Sequence, residues 1–174
     1  MSNPAPHFSI PAGIVVERRS AASPWVDFTW RPVALLAGAP AATPWICLDD
    51  DGTTATFYAG AVSLDLYKTE AAHYRDNLTS PQPCAWVAIS ETGGTPPCVI
   101  AGATIDPAEG EALAEAGTVV VEAVPLPPAI VRQVAEFVAC HPIQDNFVKR
   151  KRDRADPEAL ARRLPADGTN NGRR

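Results

Sequence analysis

Hydrophobic and polar positions change period along this chain, and each change marks an element. Ile10 to Arg19 predicts a first strand centred on Ile14, Val15 and Val16. Trp25 to Arg31 carries two tryptophans, and Pro32 to Leu36 continues as a short apolar strand. Trp45 to Leu48 predicts the next strand, closed by the tight turn Asp49-Asp50-Asp51-Gly52. Thr53 to Ala59 alternates, Gly60 breaks the run, and Val62, Leu64 and Leu66 then alternate with Ser63, Asp65 and Tyr67. The period lengthens between Lys68 and Leu78, where Glu70, His73, Tyr74 and Asn77 fall broadly on one side of a helix. Pro83 to Glu91 predicts a central strand and Cys98 to Ala103 another. Asp106 is placed to cap a short helix, with Glu109 three residues on as in a capping box. Gly117 ends that helix, and Thr118 to Val124 predicts a further strand.

The strongest periodic signal is Pro127 to His141. Ile130, Val131, Val134, Phe137 and Val138 form one face of a helix, and Arg132, Gln133 and Glu136 lie largely opposite. Pro127 and Pro128 suit its start, where no backbone donor is needed, and His141-Pro142 suits its end. Such a stripe requires a cover, and the strands before it supply one. The pattern therefore predicts an α+β fold: an antiparallel or mixed, partly barrel-like sheet of roughly six to eight short strands with a packed C-terminal helix. The expected organisation is a flexible leader at 1–9, a single α+β domain at 10–148 and a basic, flexible tail at 149–174.

Charge sharpens that division. Residues 1–148 hold 6 Lys/Arg against 16 Asp/Glu, and residues 149–174 hold 9 against 4. An acidic body repels a phosphate backbone, so nucleic acid is not the expected partner. The basic run Lys149-Arg150-Lys151-Arg152, just after Phe147, suits a protein surface instead. No apolar run reaches membrane-spanning length and no basic-then-apolar leader opens the chain, so a cytoplasmic location is the expectation.

Chemical motifs are sparse. Cys47, Cys84, Cys98 and Cys140 form no CxxC pair and read as reduced, mostly buried residues. The aspartate run lacks the spaced ligands of a calcium loop. No phosphate cradle, serine elbow or His-Glu-x-x-His occurs. Neither a catalytic residue, a cofactor nor a dedicated metal site is expected. The best polar group is Glu70, His73, Tyr74 and Asn77. Either it orders a loop, or His73, Tyr74 and Asn77 line a pocket with Arg18, Arg19 and Arg31.

Several stretches resemble one family in order along the chain. They are Val15-Val16-Glu17-Arg18-Arg19, Trp25 to Trp30 with Arg31-Pro32-Val33, Glu70 to Leu78, Phe137-Val138-Ala139-Cys140-His141, and Phe147-Val148-Lys149-Arg150-Lys151-Arg152. Together they resemble a bacterial domain family of unknown function, often encoded beside molybdenum- or tungsten-dependent formate dehydrogenases. The resemblance implies an accessory role in maturation or regulation of such an enzyme, with a dehydrogenase subunit or maturation factor as partner. It supplies no catalytic residues. The leading expectation is thus a non-enzymatic protein-binding module. Its contact surface would comprise Arg18, Arg19, Trp25, Trp30, Arg31, Phe147 and Lys149 to Arg152. The alternative is a protein or enzyme that binds a small anion or nucleotide around His73, Tyr74 and Asn77.

Overall fold

The computed structural model describes residues 5–115 and 117–141. The expected tail, Phe147 and the basic run Lys149 to Arg152 lie outside the described residues. Strand β1 (Phe8–Ser20) has buried Ile10, Ala12, Ile14 and Val16 at alternate positions, the signature of one face against a core. It pairs antiparallel on one side with β2 (Phe28–Ala37) and on the other with β4 (Thr54–Leu66). The short strand β3 (Ile46–Asp50) adds to the far side of β4, giving the order β2-β1-β4-β3. Asp49 and Asp50, expected in the turn, extend β3 by pairing with β4, and Asp51 with Gly52 and Thr53 makes the β3–β4 turn. Asp51 Oδ1 accepts from the Thr53 and Thr54 amides at 2.8 and 2.7 Å, and those bonds hold its carboxyl below the usual range.

Two irregularities follow from the sequence. Gly60, at φ 128°, permits an extra residue in β4 opposite the Ile14–Val15 step. The strand therefore bends and runs on to Leu66, where the expected break at Gly60 would have split it. Pro32 sits within β2, and β2 is an edge strand, where a missing amide donor is tolerated.

After β4 a 3-10 turn (Lys68–Glu70) leads into α1 (Ala71–Thr79). A second antiparallel sheet follows, β6-β5-β7, from β5 (Cys84–Glu91), β6 (Cys98–Thr104) and β7 (Val120–Pro125). Helix α2 (Pro107–Glu115) links β6 to β7, and α3 (Pro128–Cys140) follows β7. Ile130, Val134 and Phe137 of α3 enter the same core as both sheets, and Phe137 stands against Phe8 and Tyr74.

The α+β class and the C-terminal helix match the sequence pattern, but the partial barrel does not. Closure requires a sheet's outer strands to pair with each other. Here β2 and β3 end one antiparallel sheet, β6 and β7 end the other, and the helical stretch from Lys68 to Thr79 separates β4 from β5. Neither sheet is closed. Among the described residues no helix is long and apolar enough to cross a membrane.

Candidate functional site

Helix α1 divides its polar residues between two faces. Tyr74 and Asn77, three apart, point into the core. Tyr74 accepts from the Tyr67 amide at 3.1 Å, and burial pushes its phenol up to about 12. Asn77 donates to the carbonyls of Cys84 and Ile105 at 2.7 and 2.8 Å and accepts from the Cys84 amide at 3.1 Å. Its amide ties α1 to the start of β5 and to the β6–α2 junction. Glu70 and His73, also three apart, turn the other way toward α2.

Asp106 stands at that junction because it starts α2. Its Oδ1 accepts from the Ala108 amide at 2.8 Å, an N-cap bond. The expected reciprocal bond between Glu109 and the Asp106 amide is relayed through Thr104. Thr104 Oγ1 donates to Glu109 Oε2 at 2.6 Å and accepts from the Asp106 amide at 3.1 Å, so the threonine hydroxyl closes the box. Helix α2 approaches β5 so closely that a Cβ on Gly110 would lie 2.3 Å from Trp86 Cγ. Only glycine allows that approach.

The two helices bring His73 to Asp106 across 33 residues of chain. His73 Nδ1 lies 2.9 and 3.1 Å from the two Asp106 oxygens and 3.1 Å from Glu70 Oε2. The Asp106 side chain is 3% exposed and that of His73 47%. The hydrogen bond to Asp106 raises the His73 imidazole above its ordinary range, opposed by desolvation and assisted by the charges of Asp106, Glu70 and Asp76. Beside this group is a cleft of about 400 Å³, bounded also by Tyr67, Thr69, Ala108, Glu109 and Ala112. Its charged walls are carboxylates. A buried carboxylate bonded to one ring nitrogen fixes the imidazole's orientation, as in metal centres and in proton-transfer sites.

The other expected site residues lie elsewhere. Tyr74 and Asn77 are scaffold residues and do not line the cleft. Arg18, Arg19 and Arg31 belong to the four-stranded sheet. Arg18 reaches Asp50 at 3.4 Å with its guanidinium over Phe28, and Glu17 bonds both Arg19 and Arg31, at 3.2 and 2.9 Å. Trp30 packs with Trp45 and Phe57, whereas Trp25 is 90% exposed. His141 Nδ1 bonds the Phe137 carbonyl at 2.7 Å, which makes it a helix end. The cysteines are all free, but Cys47 and Cys140 are exposed, because an edge strand and the last turn of α3 carry them. Sequence reasoning read Asp106 only as a cap. The Asp-Pro at a strand–helix junction located it, but its partner is distant in sequence.

A family model described as "Protein of unknown function (DUF3305)" matches residues 11–151. No curated protein and no solved structure gives a significant match.

Proposed function

The chain belongs to the DUF3305 family, and from that premise we propose that it binds a small cationic ligand in the cleft between α1 and α2, with His73 as the contacting group. The observation that carries this reading is the exposed imidazole anchored on buried Asp106 beside a cleft of about 400 Å³. Glu70, Asp106 and Glu109 give the walls negative charge, and among the described residues no lysine or arginine lines them. Those walls favour a cation over an anion or nucleotide. An imidazole held in this way is also oriented for proton transfer, so the reading extends to an enzyme acting on the bound molecule.

The test is a nuclear magnetic resonance screen of small amines, guanidines and metal ions against the full chain. Binders are expected to shift the His73 ring resonances, and His73→Gln to abolish binding. A screen in which nothing moves those resonances would refute the cleft as a ligand site.

A second reading is accessory binding to a formate dehydrogenase subunit or maturation factor. The supporting observation is Trp25, 90% exposed on the loop before β2, with Val26 and Phe28 also exposed. Exposed aromatic residues of this kind anchor protein interfaces. Purified dehydrogenase is expected to bind the chain and to lose affinity for Trp25→Ala. Equal affinity for the variant would remove this surface from the contact.

A further inference from the structure

We propose that Glu70, His73 and Asp106 form a binding site for one divalent first-row transition-metal ion, which makes the cleft's ligand an ion held by this triad. The proposal rests on the ligand-site reading of the same cleft. One donor atom from each residue lies within 4.8 Å of the other two. Two carboxylates from different elements meet at one ring nitrogen, Asp106 at 2.9 Å and Glu70 at 3.1 Å. That nitrogen carries at most one proton, so two acceptors compete for a single donor. Even a protonated imidazole brings one positive charge to two carboxylates, with Glu109 close by on the wall.

An ion in place of that proton satisfies all three groups. Imidazole nitrogen and carboxylate oxygen bind zinc at about 2.0–2.2 Å. Neighbouring ligands on such an ion therefore stand roughly 3.0–3.4 Å apart, for bond angles between about 90° and 109°. The observed nitrogen–oxygen separations of 2.9 and 3.1 Å already approach that spacing. One nitrogen with two oxygens suits Zn²⁺, Mn²⁺ or Fe²⁺ better than a soft ion such as Cu⁺. It also differs from the oxygen-only shells that Ca²⁺ and Mg²⁺ favour.

The scaffold suits the role. Asp106 is buried and pinned through Oδ1 by the Ala108 amide, which leaves Oδ2 as its donor toward the ion. Such outer bonds orient a ligand before the metal arrives. Glu70 is half-buried at the helix start and is free to close from the other side. Three protein ligands leave coordination positions for water or a substrate in the cleft, the ligand count of catalytic zinc sites.

The test uses the full chain with Cys47→Ser and Cys140→Ser, so that exposed thiols do not hold the metal. Equilibrium dialysis with Zn²⁺ and separately with Mn²⁺ is expected to retain one ion per chain for at least one metal. Glu70→Gln is expected to weaken retention at least ~10-fold, and His73→Ala and Asp106→Asn to abolish it. Asparagine keeps the helix cap, and circular dichroism checks that each variant is folded. Absence of retention at micromolar metal, or retention unchanged in His73→Ala, overturns the proposal. If organic cations still shift the His73 resonances while both metals fail, the metal inference falls and the ligand cleft stands. If neither metals nor organic cations reach His73, both fall.

Discussion

Tyr74 and Asn77 show how residue type and residue role separate. Both are polar and both share α1 with His73, yet of the three only His73 lines the cleft. Tyr74 follows His73 by one residue and Asn77 by four, and the role of each is set by which side of α1 meets the core. Tyr74 has a measurable consequence at high pH. Burial holds its phenol at about 12, whereas an unfolded chain's tyrosine ionises near ~10. The stability from keeping Tyr74 neutral is complete below pH ~10 and is lost as pH rises through about 12. Urea unfolding of the parent chain is therefore expected to weaken over that window more than unfolding of Tyr74→Phe. Equal alkaline slopes would show that the phenol is hydrated. At neutral pH the same variant leaves the Tyr67 amide without its acceptor, at a cost of about 1 kcal/mol. His73 itself was legible as a candidate from its type and helical position. Its pairing with Asp106 was not, because no local pattern links residues on two different helices.

At the scale of elements, glycine and proline decided more than propensity did. Gly60 reads as a break in sequence but acts as a bulge, since its positive φ lets β4 bend without losing its pairing with β1. Pro32 is compatible with a strand only because β2 is an edge, and edge status comes from the sheet order. Gly110 marks the contact that positions α2. A methyl group there meets the face of Trp86 at 2.3–2.7 Å, well inside contact distance. Gly110→Ala should therefore destabilise by at least the ~1–3 kcal/mol of ordinary overpacking, although alanine favours an isolated helix. Chemical denaturation measures the loss. Since Asp106 caps α2, retention of whichever metal the triad binds should fall in parallel. An unchanged or raised midpoint would mean that α2 stands farther from β5 than the structure places it.

For the described molecule as a whole, one core joins both sheets to α1 and α3, and the exposed Trp25 is not part of it. Phe137 contacts Phe8, Tyr74 and His141, so Phe137→Ala is expected to cost about 3–5 kcal/mol. Trp25→Ala should stay within ~0.5 kcal/mol, because its ring is in water. Similar losses in equilibrium unfolding would show that Trp25 is packed. The sequence by itself determined the α+β class, the placement of most strands, the aspartate turn and the long C-terminal helix. Those features arise from burial periodicity and backbone sterics, which act over a few residues. It also located His73 and marked Asp106 as a cap. Only the tertiary structure decided that the strands form two open antiparallel sheets in place of a partial barrel. A strand's alternation specifies its buried face, not the neighbour at its edge. The candidate site has the same origin: His73 and Asp106 are 33 residues apart and meet only because α2 rests against Trp86 while Asn77 ties α1 to the β6–α2 junction.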